Sequence, residues 1–201
     1  MRHFTPRRPY TPLTDEEWAV LAPHLPHTDP DATAPGRPLT ESRRARFEAM
    51  LFACVTDTPW TRLPRHHGAQ PLSVAKHFRR LAHEGVWSRL LEALIDPHCP
   101  RLLKAMEYWV CRLARRAMRL LGMQGLGLAQ RLGFLTALPQ LPWFLPNLEL
   151  SRALWAHAKE IVETMLEDPT WRPKRGYLNL LGRCLVIAGG RAVWQKRFAP
   201  P

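Results

Sequence analysis

Hydrophobic residues recur at three- and four-residue spacing along most of this chain, which is the spacing of amphipathic α-helices. Trp18, Leu21 and Leu25 form one such stripe. It begins at Thr14 and Glu17, whose separation is that of a capping box, so a helix is predicted to start there. No stretch shows the alternating apolar and polar residues of a half-buried strand. The pattern therefore predicts an all-α fold.

The same spacing predicts seven further helical segments after the first helix. Between them, the Pro-, Asp-, Thr- and Gly-rich residues 27–38 are predicted to be an exposed linker, and residues 66–69 a turn in which Gly68 ends a helix. The predicted segments are 40–56, a short one at 60–65, then 71–83, 86–95, 101–121, 151–167 and 177–194.

Residues 40–83 have the order helix, short helix, glycine-containing turn and helix, which is typical of a helix-turn-helix. In the last of these helices, Val74, Phe78 and Leu81 share one face, and polar or cationic side chains occupy the other. A helix that enters the major groove needs both faces, because it packs on its scaffold and neutralises phosphates. The alternative is a solvated surface helix, since most surface helices have charged outer faces.

Several separate motifs reinforce this interpretation, at 13–18 (LTDEEW), 36–38 (GRP), 59–64 (PWTRLP), 78–80 (FRR) and 85–87 (GVW). In order and spacing, residues 13–94 resemble the amino-terminal helical domain of IS-five family transposases. The resemblance implies a helix-turn-helix-like domain that binds double-stranded DNA. In that family a catalytic domain follows, with three carboxylates that hold two divalent metal ions.

The chain is strongly basic, with 29 Lys and Arg against 17 Asp and Glu, a net charge of +12. Residues 1–96 have 13 basic and 11 acidic side chains, whereas 97–201 have 16 and 6, so most of the excess lies outside the family-like segment. This charge favours double-stranded DNA as partner, with an anionic membrane surface second. The predicted DNA-binding residues are Arg43, Arg44, Ser73, Lys76, His77, Arg79, Arg80, Arg112, Arg115, Arg116 and Arg119.

No catalytic, metal or cofactor site is predicted. After Leu94 the carboxylates are few: Asp96 precedes a proline without a strand around it, and Glu160, Glu163 and Glu167 are spaced as on a solvated helix face. The neighbouring His66 and His67 lack the spacing of a zinc site, and Gly125-Leu126-Gly127 lacks the strand and third glycine of a dinucleotide site. We therefore expect no nuclease activity.

The sequence also predicts the compartment. The four cysteines are far apart, which indicates reduced thiols rather than disulfides or a zinc knuckle. The uncharged stretch 132–148 is interrupted by three prolines, so no transmembrane helix is predicted. The basic amino terminus lacks the apolar run of a signal peptide. A cytoplasmic protein is expected.

The predicted organisation has three parts: a flexible basic amino terminus (1–12), a transposase-like DNA-binding domain (13–96) and a basic all-helical region (97–201). The preferred function is a non-catalytic DNA-binding protein of transposase origin, such as a regulator. Two alternatives stay open. One is a helical interaction protein whose basic half docks on a membrane surface or an acidic partner, and the other is the DNA-binding part of a split transposase. A second copy or a related transposase is left open as a further partner.

Overall fold

The computed structural model describes residues 3–26, 42–64, 70–142 and 145–189. Within these ranges there are eight α-helices and no β-strand, only an isolated bridge between His3 and Phe134. The predicted all-α fold is confirmed for this part of the chain. The helices are α1 (Asp15–Leu21), α2 (Arg43–Val55), α3 (Pro71–His83), α4 (Val86–Ala93), α5 (Arg101–Ala105), α6 (Glu107–Leu132), α7 (Leu148–Glu167) and α8 (Tyr177–Ala188).

Local sequence signals place the helix starts well. The Thr14 hydroxyl accepts a hydrogen bond from the Glu17 amide at 3.2 Å, and the Glu17 carboxylate accepts one from the Thr14 amide at 3.0 Å, so the capping box is confirmed. The segment predicted at 60–65 is a 3₁₀ turn, Trp60–Arg62, within the described residues. The predicted linker at 27–38, the helix start at residues 40–41, the turn at 66–69 and the end of the last segment, 190–194, lie outside the described residues.

The chain divides into two compact units, residues 1–139 (unit 1) and 140–201 (unit 2). The sequence predicts a boundary after residue 96 instead. The difference arises because α6 packs against α2, α3 and α4, so the helices of the family-like segment share their core with a helix that lies beyond it. The predicted boundary rests on where the net charge changes and where the family-like motifs end, and neither observation reveals how helices pack.

Large aromatic side chains form the centre of unit 1. Phe78 of α3 stacks on Trp87 of α4 with ring centroids 4.9 Å apart, and it also meets Trp60 at 5.2 Å. Phe47 of α2 lies 6.4 Å from Trp87 and 6.0 Å from Trp18. These contacts join four elements into one core, because each large ring buries apolar area against two neighbours.

Residues 3–9 pack within unit 1, whereas the sequence predicts a flexible segment at 1–12. His3 and Thr5 bond the buried carboxylate of Glu107 at 2.6 and 2.7 Å. The guanidinium of Arg8 lies 3.7 Å from the centre of the Trp109 ring and pairs with Glu17 at 2.5 Å. These partners lie about a hundred residues away or on α1, so the basic composition of the segment does not reveal them.

The long helix predicted at 101–121 is interrupted at both ends. Met106 separates α5 from α6, and α6 continues past Leu121 to Leu132 with a kink at Gly122. Gly122 has φ 58° and ψ −139°, a conformation that is open to glycine and strained for other residues. The glycine therefore redirects the helix, whereas the sequence predicts that the helix ends there.

Unit 2 contains an antiparallel pair of helices. The amide of Asn147, before α7, donates to the carbonyl of Ala188 at the end of α8, at 2.9 Å. Farther along the pair, His157 and the Tyr177 hydroxyl are 2.6 Å apart. Residue numbers rise on one helix as they fall on the other, which establishes the antiparallel order. Across the described residues, no helix is long and apolar enough to cross a bilayer.

Candidate nucleic-acid interface

Helix α3 has the two faces that the sequence predicts. Val74, Phe78 and Leu81 are buried against the aromatic core, as expected. Pro71 stands in the first turn, where its missing N–H and fixed φ suit the start of a helix. The opposite face holds the polar and cationic side chains, of which Lys76, Arg79 and Arg80 are exposed.

An open groove runs along this face, where α3 lies beside α2. Its volume is about 380 Å³. Four of its lining residues come from α3 and one from α2, and four of the five are Arg, Lys or His. The residues that line this basic groove are Arg46, Ser73, Lys76, His77 and Arg80.

His77 is neutral at physiological pH despite its basic surroundings. Burial, together with the nearby guanidinium groups of Arg80, Arg46 and Arg43, lowers its pKa from 6.5 to about 4. An Arg80 nitrogen lies 3.1 Å from Nδ1 of His77. A guanidinium only donates, so Nδ1 accepts and the ring hydrogen of the neutral imidazole is on Nε2.

The remaining outer residues of α3 differ in their surroundings. Arg80 also lies 3.5 Å from the Glu84 carboxylate, four residues along the helix, in an exposed pair of small energetic value. Arg79 is exposed beside the groove rather than within it. Leu72, in the first turn, is 71% exposed, which adds an apolar side chain to the same end of the helix as Ser73.

Arg43 and Arg44, predicted from sequence to bind DNA, hold α2 against the preceding segment. One nitrogen of Arg43 donates to the carbonyls of Leu25 and Pro26 at 2.7 and 2.9 Å. Arg44 pairs with Asp15 and Glu48 and donates to the Leu13 carbonyl. These contacts account for basic residues at a helix start, where the helix dipole disfavours them.

Three arginines of α6 are likewise engaged with main-chain carbonyls. Arg116 donates to Ala53 O at 2.7 Å and Arg112 to Cys54 O at 3.1 Å, so together they bind the last turn of α2. Arg115 donates to Pro139 O at 3.0 Å. Burial lowers the pKa of both Arg115 and Arg116. The last turn of a helix carries unpaired carbonyls and partial negative charge, so cations are well placed there.

Arg116 and Arg112 have further partners that fix their orientation. The Arg116 guanidinium lies 4.0 Å from the centre of the Trp60 ring, and Arg112 pairs with Asp57. Asp57 itself has φ 57°, in the left-handed region. Arg119, one turn later on α6, is exposed.

The structure thus brings together four of the eleven residues predicted to bind DNA: Ser73, Lys76, His77 and Arg80. The prediction omitted Arg46, which lines the same groove from α2. It lies one helical turn from Arg43 and one from the buried Met50, so it stands among the apolar residues of α2. Arginine on an otherwise apolar helix face is the signal that composition alone does not show.

Metal-binding chemistry has no visible site in this region. Among residues 3–26, 42–64, 70–142 and 145–189, no three His, Cys, Asp or Glu side chains converge as ion ligands. Burial raises the pKa of the Cys54 and Cys111 thiols to about 12, so both are protonated at neutral pH. The side chains that line the basic groove are cations and hydrogen-bond donors, which suit an anionic ligand.

A comparison with protein-family models finds a match for the segment that contains the basic groove. Residues 13–91 match the model of a family described as "putative transposase of IS4/5 family". The resemblance predicted over residues 13–94 is confirmed by this match. Comparisons with curated proteins and with solved structures give no match.

Proposed function

We propose that this chain is a non-catalytic DNA-binding protein of transposase origin, and that unit 1 binds duplex DNA through the basic groove. The observation that carries the proposal is the groove itself, where Arg46, Lys76 and Arg80 supply three positive charges beside one exposed helix face. It lies within the segment that matches the transposase family, residues 13–91. Phosphate neutralisation by such side chains supplies most of the affinity for DNA.

In this proposal α2, the Trp60–Arg62 turn and α3 act as a helix-turn-helix, with α3 as the helix that enters the major groove. Two observations support that role. Phe78 anchors α3 by contacts with Trp60 and Trp87, so the outer face is presented on a rigid element. The first turns of α3 also present Leu72 and Ser73, a methyl-contacting and a hydrogen-bonding side chain for base edges.

His77 would act as a neutral donor within the groove. With Nδ1 accepting from Arg80, the Nε2–H is the donor toward a phosphate or base acceptor. Because its pKa is about 4, the imidazole adds no charge to the groove at neutral pH. The groove's electrostatic attraction would then come from Arg46, Lys76 and Arg80.

The absence of nuclease activity is also part of the proposal. Glu160, Glu163 and Glu167 follow the solvent-exposed surface of α7. The carboxylate of Glu107 is already bonded to Lys104, Thr5 and His3. The remaining carboxylates after Leu94 stand at helix starts and turns: Asp96 accepts from the His98 amide, Asp168 accepts from Thr170, and Glu149 lies in the first turn of α7.

Of the two alternatives predicted from the sequence, one has less support and the other is compatible with the proposal. Docking of the basic half on a membrane or acidic partner would use Arg112, Arg115 and Arg116, whose donors are engaged by carbonyls of unit 1. A split transposase would use the same basic groove, together with a catalytic chain. The proposal includes a cytoplasmic location, because the ligand is DNA.

The test is DNA binding as a function of salt. We expect the full chain to bind duplex DNA with an affinity that falls steeply as salt rises. Combining Lys76→Ala with Arg80→Ala should reduce the slope of log affinity against log salt by about 2, since each lost phosphate contact lowers it by about 0.9. Mobility-shift titrations at several salt concentrations measure this slope.

A matched control separates the groove from net charge. Arg101→Ala with Arg131→Ala removes the same two charges from exposed positions of unit 1 outside the groove. This control should bind DNA almost as well as the unaltered chain. If both double variants weaken binding equally, or if the unaltered chain does not bind DNA at low salt, the groove is not the interface.

A further inference from the structure

The α7–α8 pair of unit 2 has an apolar face on the side away from the His157–Tyr177 contact. At about 100° per residue, Trp155, Val162 and Leu166 lie roughly 140–180° around α7 from His157. On α8, Leu178 lies about 100° from Tyr177, beyond the buried Leu181 and on the side of it that is turned away from Tyr177. Since His157 and Tyr177 touch on one side of the pair, Trp155, Val162, Leu166 and Leu178 follow the other side, which we call the apolar face.

This face is exposed to an extent that is unusual for apolar side chains. Trp155 is 65% exposed, Val162 54%, Leu166 75% and Leu178 49%. Two packed helices bury only the residues between them, such as Ile161 and Leu181. Contiguous apolar patches of this kind on a protein surface mark interaction sites.

Charged residues beside the apolar face suit a second copy of the same helix. On α7, the basic residues Arg152 and Lys159 precede the acidic Glu163 and Glu167, and within one helix Lys159 lies 3.5 Å from Glu163. Helical spacing puts all four along the same side of the stripe. If two α7 helices pack antiparallel, the basic part of one lies alongside the acidic part of the other, as in the e and g positions of coiled coils.

The size of the face is that of a small protein–protein interface. From Leu148 to Leu166 α7 rises about 27 Å, α8 rises about 17 Å, and each helix is about 10 Å wide. The footprint is then about 440 Å² per copy, or roughly 900 Å² in total, which is at the low end for protein–protein interfaces. Such an area predicts an association that depends on protein concentration.

We propose that the protein is a homodimer in which the apolar faces of two copies pack together, with their α7 helices antiparallel, to form a four-helix bundle. The contact is isologous, because each copy uses the same face. A membrane surface is a poorer occupant, since α7 has four carboxylates against two cations and anionic lipids would repel them. The proposal rests on unit 2 alone and is independent of DNA binding.

The first test compares two lysine substitutions in the full chain. Val162→Lys with Leu166→Lys places charge in the apolar face, whereas Ala153→Lys adds a lysine to the same helix near His157, outside that face. Sedimentation equilibrium should give twice the monomer mass of 23.2 kDa for the unaltered chain and for Ala153→Lys. The double variant should be monomeric or dissociate at least about tenfold more readily, with unchanged helical circular dichroism.

The second test exchanges charges between copies. One variant carries Arg152→Glu and Lys159→Glu, and the other carries Glu163→Lys and Glu167→Lys. Each alone should dimerise more weakly than the unaltered chain, because like charges then face each other, and the mixture should form a heterodimer. This recovery on mixing requires that the charged side of α7 lies in the contact between the two copies.

Three results would overturn the proposal. The first is a full chain that stays monomeric at about 100 μM, well above the dissociation constants of specific dimers. The second is a dimer that the Val162→Lys, Leu166→Lys variant leaves intact. The third is a pair of charge variants that do not associate on mixing.

Discussion

At the scale of single residues, His77 lies half-buried near three guanidinium groups, and its pKa of about 4 is below the ordinary 6.5. The native state therefore keeps the imidazole neutral, whereas the unfolded chain protonates it first as the pH falls. The unfolded state binds more protons between pH 6.5 and 4, so the free energy of unfolding should fall through that window. His77→Gln should remove this part of the acid sensitivity.

Urea unfolding at pH 7 and pH 5 tests this prediction. The unaltered chain should lose more stability between the two values than His77→Gln does. Burial raises the pKa of Glu107, but its bonds with Lys104, Thr5 and His3 outweigh this and lower the pKa overall. The contribution of Glu107 is therefore lost at lower pH, and this loss affects both proteins alike. Equal losses in the two proteins would mean that His77 titrates normally in the folded state.

The residue scale also explains how much of the candidate site was predictable. Ser73, Lys76, His77 and Arg80 share one face of α3, and a face is a property of helical spacing, so the sequence identifies them. Arg112, Arg115 and Arg116 share a face of α6 in the same way. Their partners are carbonyls 24 to 63 residues distant in the chain, which spacing within one helix does not encode.

At the scale of elements, two glycines in helices differ in what alanine would do. Gly122 of α6 has φ 58°, and an added Cβ would meet no neighbouring atom, so the change affects only the backbone. Gly122→Ala should destabilise unit 1 by about 1–3 kcal/mol, the usual strain of such a conformation. Gly182 of α8 has the same open surroundings without the positive φ. Gly182→Ala should stabilise unit 2 by about 0.4–1 kcal/mol.

The free energies of unfolding of both variants, measured in urea by circular dichroism, check these signs. The pair is informative because the substitution is identical and neither Cβ is crowded. A neutral Gly122→Ala would mean that α6 runs straight through residue 122. A destabilising Gly182→Ala would mean that this position of α8 is covered, either by the same chain or by the second copy, because Gly182 lies about 140° around α8 from Tyr177, on the side of the apolar face.

At the scale of the whole molecule, α6 makes unit 1 larger than its transposase-like segment. A fragment of residues 1–96 has the aromatic residues of a small core, and the sequence favours its independent folding. It lacks α6, however, and so exposes the faces of α2, α3 and α4 that pack on that helix. We predict that residues 1–139 fold cooperatively and that residues 1–96 do not.

Near-ultraviolet circular dichroism and urea unfolding of the two fragments test this boundary. The longer fragment should show ordered tryptophan signals and a single sharp transition. The shorter one should show weak tryptophan signals and a broad transition, even where it retains helix. Cooperative unfolding of residues 1–96 with native-like signals would return the boundary to the position that the sequence predicts.

The sequence by itself determined the helical class, the capped start of α1, the extent of α3 and the transposase-like segment. These features depend on residues within a few positions of one another, through three- and four-residue spacing, capping pairs and short motifs. Only the tertiary structure decided that residues 3–9 contact α6 and that the first unit ends at residue 139. It also decided that three arginines of α6 donate hydrogen bonds to carbonyls of α2 and of Pro139. Those outcomes depend on contacts between segments that are distant in the chain. Such contacts form where the packed core places two complementary surfaces, or a donor and an acceptor, next to each other.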